Sequence, residues 1–141
     1  MELDIPTLLA VEAFIAAVSA ALILAAMPRG AGARGCLWWV GGGVTTALGI
    51  GLVLVGQVRG AALALPIANL VFALSPALYW TGARVFAGRS PQYVAICAGL
   101  AVMLIVQFLP PLSPALSWRM EMSFGITSIY LFAGALELLR S

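Results

Sequence analysis

The sequence of 141 residues contains no lysine and no histidine. Without lysine there is no group to form a retinal-type Schiff base, and without histidine the usual haem and copper ligands and the Ser-His pair of an intramembrane protease are missing. The acidic residues are too scattered to predict a metal cluster. They are Glu2, Asp4, Glu12, Glu121 and Glu137. We therefore expect that the chain itself is not an enzyme and holds no metal or cofactor.

Charged residues are also scarce, at 9% of the chain, whereas hydrophobic residues make up 63%. A soluble domain has about 25% charged residues, so this composition predicts an integral membrane protein. The two cysteines, Cys36 and Cys97, do not indicate a disulfide framework and are interpreted as apolar filling residues. The formal net charge of +2 gives no reason to expect binding to nucleic acid.

Long apolar runs separated by Gly, Pro and Arg predict five membrane-spanning helices in one domain. A spanning helix needs about 20 apolar residues, and five such runs occur. The predicted spans are residues 6–27, 37–58, 61–86, 91–109 and 116–139. The first is too long for a signal-peptide core and lacks a basic start. The predicted fold class is an all-α transmembrane bundle.

The arginines divide unequally between the two sides of the predicted bundle. The first and third loops and the C-terminus carry Arg29, Arg34, Arg84, Arg89 and Arg140. The other side carries only Arg59 and Arg119. Since positive residues favour the cytoplasmic side, we predict that the N-terminus lies outside and the C-terminus in the cytoplasm.

The second span is rich in small residues at helical spacing. Gly42 and Thr46 lie four residues apart, as do Thr45 and Gly49. This spacing predicts close approach of a neighbouring helix, and a hinge or a homodimer seam is the alternative. Three tryptophans, Trp38, Trp39 and Trp118, fall at the ends of predicted spans, which is typical of interfacial anchors.

A polar stripe follows one face of the fifth span for its whole length. Its members are Arg119, Ser123, Thr127, Tyr130, Gly134 and Glu137. Such a stripe faces protein or water rather than lipid. We therefore expect Arg119 to point inward at the outer mouth of the bundle. Glu121 is off the stripe and is expected to reach the lipid headgroups.

Other polar residues fall at the same outer depth and complete a candidate ligand site. The predicted site residues are Glu12, Asn69, Gln107, Arg119, Ser123 and Thr127. Because an arginine offers five donors in a fixed fork, the expected ligand is small and amphipathic or anionic. The alternative is a structural role, with a Glu12–Arg119 ion pair and an interhelical hydrogen bond from Asn69.

Four segments together resemble a known family. They are "DIPTLL", "RGCLWWVGGG", "IANLVFALSPALYWTGARVFAGR" and "SWRMEMSFGITSIYLFAGALELLR". The chain resembles the N-terminal multi-span sensor region that precedes diguanylate cyclase (GGDEF) domains in bacteria. The resemblance is carried by Trp38, Trp39, Asn69, Gly82, Arg84, Phe86, Gly88, Arg89 and Arg119. It implies a dimerising sensor in the bacterial inner membrane that modulates cyclic-di-GMP synthesis.

The resemblance also implies two further spans and a cyclase domain, so we expect this sequence to be part of a longer protein. The favoured function is a non-enzymatic sensory input module. Its expected partners are the lipid bilayer, a second copy or small oligomer, a cytoplasmic output domain and a small-molecule ligand. The alternatives are a small oligomeric transporter or channel subunit, with the polar stripe lining a path, and a purely structural membrane anchor.

Overall fold

Five helices account for nearly all of the structure. The computed structural model describes residues 4–60, 64–108 and 117–140, without the side chains of residues 31, 58, 107–108 and 117–121. The helices are α1 (Ile5–Ala25), α2 (Ala31–Arg59), α3 (Ala64–Phe86), α4 (Tyr93–Phe108) and α5 (Ser117–Leu139). These ranges contain no strand. The prediction of an all-helical protein is confirmed.

Four helices of the described part, α1, α2, α3 and α5, are long and apolar enough to cross a membrane. Helix α4 is equally apolar but has only 16 residues. At 1.5 Å per residue it extends about 24 Å, whereas the hydrocarbon layer is about 30 Å thick. The composition and helix lengths are those of a membrane protein. That α4 makes a fifth crossing stays a prediction.

Helix α2 begins six residues earlier than the sequence predicted. Gly30 breaks the chain with a φ of 111°, and the helix starts at the next residue, Ala31. The run that was predicted as a loop contains alanines, which are strong helix formers. As a result Arg34 lies in the first turn of α2 instead of in a loop.

Helix α3 is at the centre of the bundle. It packs against α2, α4 and α5, while α1 packs only against α2, and α4 also touches α5. No other pair of helices has its backbones in close contact within the described ranges, although the rings of Trp38 on α2 and Tyr93 on α4 lie 6.2 Å apart. Helices α1 and α5 therefore stand apart, and a gap remains over α3 between them.

The directions of the helices follow from their contacts. Gly42 of α2 faces Tyr79 of α3 and Gly49 faces Phe72, so these helices are antiparallel. Later residues of α3 contact later residues of α5, so those two helices are parallel. Their contacts are Trp80 with Tyr130 and Arg84 with Glu137. One end of the bundle, here called the arginine-rich end, carries Arg29, Arg34, Arg84, Arg89 and Arg140. The other is called the Glu12 end.

Small residues let α2 approach α3 closely, as predicted. A Cβ added to Gly42 would lie 2.9 Å from the Tyr79 ring. One turn further on, the Oγ1 of Thr46 and the Oγ of Ser75 lie 2.7 Å apart, and the Ser75 hydroxyl also donates to the Gly42 carbonyl at 3.0 Å. The contact thus combines close packing with hydrogen bonds between the helices.

Trp39 makes contacts between α2 and α3 that the sequence did not predict. Its Nε1–H donates to the Tyr79 carbonyl at 3.0 Å, and its ring stacks on Phe86 with centroids 5.7 Å apart. A side chain at Gly82 would overlap the indole. Gly82 thus opens a hollow between α2 and α3 that holds the ring, and the role of Trp39 as an interfacial anchor stays a prediction. For Trp118 the side chain lies outside the described residues.

Candidate functional site

A cavity of about 840 Å³ occupies the gap between α1 and α5. It extends from the Glu12 end to the middle of the bundle, and all five helices contribute to its lining. The walls are mainly apolar and include Phe72, Met103, Phe124 and Leu131. Cavities that bind small molecules have this size and this mixture of apolar walls with a few polar groups.

The cavity brings together four of the six predicted site residues. Glu12 of α1, Asn69 of α3, and Ser123 and Thr127 of α5 all line it. The other two, Gln107 and Arg119, belong to α4 and α5, and their side chains lie outside the described residues. The side chain of Glu121 lies outside them as well.

Three of these polar groups have no protein partner in the part of the chain that is described. Glu12, Asn69 and Thr127 make neither a hydrogen bond nor an ion pair there. Glu12 is exposed, whereas Asn69 and Thr127 are half-buried, and an unsatisfied polar group at an apolar position has a free-energy cost. The predicted hydrogen bond from Asn69 to a neighbouring helix is therefore not formed within these ranges. The Glu12–Arg119 pair stays a prediction.

Ser123 is held differently from its neighbours on the cavity wall. Its hydroxyl donates to the Sδ of Met103 at 3.8 Å, which links α5 to α4. A thioether is a weak acceptor, so this contact by itself contributes little to the link. Ser123 joins Thr127 as a hydroxyl on the α5 wall of the cavity.

The floor of the cavity is closed by groups that already have partners. Thr46 and Ser75 line it, but their hydroxyls are bonded to each other and to the Gly42 carbonyl. Pro76, inside α3, is buried beside them. This part of the lining therefore offers few further binding groups.

A charged cluster lies at the arginine-rich end. Glu137 is 8% exposed and accepts a hydrogen bond from Arg84 through Nη1 at 2.5 Å. The Nη1 of Arg89 lies 2.7 Å from the other carboxylate oxygen, at an angle that makes an ion pair but no hydrogen bond. Arg84 also lies over the Trp80 ring, 5.3 Å from its centroid. The cluster ties α5 to α3 and to the loop after α3.

Sequence reasoning missed these partners of Glu137. It placed Glu137 on the α5 stripe without a partner, but the structure shows ion pairs with Arg84 and Arg89. Arg84 is 53 residues from Glu137 in the chain. Only the parallel packing of α3 and α5 brings the two together. The one available signal in the sequence for this pairing was that Arg84 and Arg89 lie close together at the C-terminal end of α3 and just after it.

The α5 stripe faces the bundle throughout its described length. Ser123 and Thr127 line the cavity, the Tyr130 hydroxyl donates to the Ala95 carbonyl at 2.5 Å, and Glu137 ends the stripe in the charged cluster. Gly134 lies against Trp80. One helix face thus connects the cavity to the arginine-rich end.

No protein-family model, curated protein or solved structure matches the chain. No group of three potential metal ligands occurs among the described residues. Function is therefore inferred from the cavity and the charged cluster.

Proposed function

We propose that the chain is a transmembrane sensory module that binds a small amphipathic ligand in the cavity between α1 and α5. One observation supports this most: Glu12, Asn69 and Thr127, from three different helices, line the same apolar cavity without protein partners in the described part. A ligand that supplies those partners removes their free-energy cost and binds only there.

The lining favours a particular ligand chemistry. Glu12 is the only charged side chain among the described lining residues, and the amide of Asn69 and hydroxyl of Thr127 are neutral. An apolar body with an amine or hydroxyl head matches these groups better than an anion does. The anionic ligand expected from the sequence depends on Arg119. A series of ligands with the same hydrocarbon chain and different head groups distinguishes an anionic ligand from an amine or an alcohol.

The arrangement relative to the membrane is part of the proposal. Five arginines at one end favour the cytoplasm for that end, so the cavity faces the outside and the N-terminus is external. Alkaline phosphatase fused after Gly60 is expected to be active, and fused after Gly88 inactive. The opposite pattern would place the cavity on the cytoplasmic side.

Helix α5 is the proposed route of the signal. It lines the cavity at Thr127 and is ion-paired to α3 at Glu137, so a ligand that moves its outer half acts on its cytoplasmic end. By the resemblance to sensor regions of diguanylate cyclases, the output is cyclic-di-GMP synthesis in a dimer in the bacterial inner membrane. The coding sequence after Ser141 tests this: a cyclase domain there would support it, and an unrelated continuation would remove it.

The packed half of the bundle favours a binding module over a transporter or channel subunit. Between the cavity and the arginine-rich end, the Trp39 ring lies between α2 and α3, and Tyr130 of α5 contacts Trp80 of α3 and the Ala95 carbonyl of α4. A path for a solute within one chain would have to pass these rings. A structural anchor, in turn, has no need of unpaired polar groups in a cavity.

The experiment uses the full chain in lipid nanodiscs and three amphiphiles with the same twelve-carbon chain: dodecylamine, dodecanol and dodecanoate. We expect the amine or alcohol to raise the unfolding temperature in a saturable manner. Thr127→Val should weaken this effect several-fold, whereas Ser128→Val, on the exposed neighbouring position, should not.

Three outcomes of this series have distinct meanings. Preference for dodecanoate would support the anionic ligand expected from the sequence and would indicate that Arg119 binds it. Equal, non-saturable effects of all three amphiphiles would indicate partition into lipid and argue against the site. Equal sensitivity of the two valine variants would likewise place binding elsewhere.

A further inference from the structure

A second cavity, of about 690 Å³, opens at the arginine-rich end. It lies where the start of α2, the end of α3 and the start of α4 meet, and it is separate from the cavity between α1 and α5. Its polar lining residues are Arg34, Arg89, Ser90 and Tyr93, and its apolar ones include Leu37, Trp38 and Val85. The proposed sensory function makes no use of it.

The charges around this cavity are unbalanced. Arg84 and Arg89 share the single carboxylate of Glu137, and Arg34 makes no ion pair within the described ranges. The Arg89 side chain is 43% exposed and uses one nitrogen in its ion pair, which leaves most of its five N–H donors available. An excess of positive charge therefore borders the cavity on two sides.

The helix termini add to this positive potential. Arg34 lies in the first turn of α2, and Ser90 and Tyr93 flank the start of α4. The first turn of a helix carries unpaired N–H groups and the positive end of its dipole, so an arginine is unfavourable there and an anion favourable. The position of Arg34 has no stabilising role within α2 and becomes favourable when an anion binds beside it.

The apolar part of the lining indicates what carries the anion. The Trp38 and Tyr93 rings lie 6.2 Å apart, and Tyr93 is 62% exposed. Exposed Trp and Tyr are typical of the level of the lipid headgroups. A soluble phosphate has no use for Leu37, Val85 and two aromatic rings, whereas a glycerophospholipid places its glycerol and the first carbons of its chains on such a surface.

We infer that this cavity binds the phosphate group of an anionic glycerophospholipid, held between the guanidinium groups of Arg34 and Arg89 with the Ser90 hydroxyl and the Trp38–Tyr93 pair beside it. Basic cavities between helices near the cytoplasmic surface are suited to anionic headgroups. Planar guanidinium groups bind phosphate through two parallel hydrogen bonds. Binding at this position would link α2 to the loop after α3.

The test measures the unfolding temperature of the full chain in phosphatidylcholine nanodiscs that contain increasing fractions of phosphatidylglycerol. Two matched variants each remove one exposed arginine from the same end: Arg34→Gln, inside the cavity lining, and Arg29→Gln, outside it. We expect saturable stabilisation of the wild type. Since a direct hydrogen bond to a charged group contributes about 1.5 kcal/mol or more, Arg34→Gln should raise the half-saturating fraction about tenfold or more.

Further outcomes separate a bound lipid from weaker alternatives. Arg29→Gln should change the half-saturating fraction less than twofold, and Arg34→Lys should restore part of the loss. Equal effects of the Arg29 and Arg34 variants, or no saturable dependence on phosphatidylglycerol, would overturn the inference. Glycerol 3-phosphate and inorganic phosphate added to pure phosphatidylcholine nanodiscs should have no effect. Arg34-dependent stabilisation by either of them would assign the cavity to a soluble phosphate instead.

Discussion

The polar groups in the two halves of the bundle differ in whether they have protein partners. Towards the arginine-rich end, Glu137 is paired with two arginines, and the Trp39 and Tyr130 side chains donate to backbone carbonyls. The exception there is Trp80, whose buried N–H has no hydrogen-bond partner in the described part. Towards the Glu12 end, Glu12 and Asn69 face a cavity without partners in the same part.

The difference arises from the neighbouring helices, since one face of α5 serves both halves. At Tyr130 and Glu137, α5 is in contact with α4 and α3, which supply acceptors and charges. At Thr127, α5 borders the cavity, and α1, which also lines it, does not touch α5. Paired polar groups should therefore determine stability, and unpaired ones ligand binding. Substitutions in the two halves test that division.

The largest effect is expected from Glu137→Ala. It leaves Arg84, whose side chain is only 12% exposed, without its carboxylate. Losing one partner of a buried pair costs about 3–5 kcal/mol, and the exposure of Arg89 favours the lower value. Denaturant unfolding in detergent measures the change. The matched control, Glu12→Ala, should cost less than about 1 kcal/mol because Glu12 is exposed and unpaired in the described part.

Two results would contradict this view of the charged cluster. One is equal destabilisation by the two glutamate substitutions. The other is failure of the double change Arg84→Leu with Glu137→Leu to recover much of the loss, since replacing a buried pair by apolar residues is often nearly neutral.

A smaller effect is expected from Gly42→Leu at the contact between α2 and α3. The new side chain meets the Tyr79 ring, and overpacking of a dense interface costs about 1–3 kcal/mol. The control is Gly51→Leu on the same helix, where a Cβ has no atom within 4 Å. That change should be neutral or slightly stabilising, since leucine favours the helix. Equal melting temperatures for both variants would show that Gly42 makes no close contact.

Tyr130→Phe should have a modest effect, because it removes only the hydroxyl that donates to the Ala95 carbonyl. A hydrogen bond of this kind contributes about 0.5–1.5 kcal/mol. The unfolding free energy in detergent gives the value. A loss of unfolding free energy well above this range would mean that Tyr130 positions α4 as a whole. No loss would mean that the hydroxyl of Tyr130 makes no stabilising hydrogen bond.

The smallest effect on stability is expected from Asn69→Leu. The unpaired amide is replaced by an apolar group of similar size, so the unfolding free energy without ligand should change by less than about 1 kcal/mol or rise. Ligand-dependent stabilisation should be lost in the same variant. A loss of more than about 2 kcal/mol without ligand would show that Asn69 has a structural partner and would remove it from the ligand site.

Sequence patterns were sufficient for the helices and for the face of α5 that turns inward. Apolar runs of the right length predicted every helix, and spacings of three and four residues placed Ser123, Thr127 and Glu137 on the inner face. Boundaries were less reliable, as the early start of α2 at Ala31 illustrates. Four of the six candidate site residues line one cavity because depth along each helix can be counted from its ends.

The partners of those residues were decided by the tertiary structure. Helix formation and the orientation of a helix face depend on hydrogen bonds and side chains a few residues apart, so the sequence by itself determined them. Which groups meet across the bundle depends on which helices touch. The parallel packing of α3 and α5 joined Arg84 to Glu137, and the hollow at Gly82 turned Trp39 inward. Because α1 and α5 do not touch, Glu12 and Thr127 line a cavity instead of packing against a neighbouring helix.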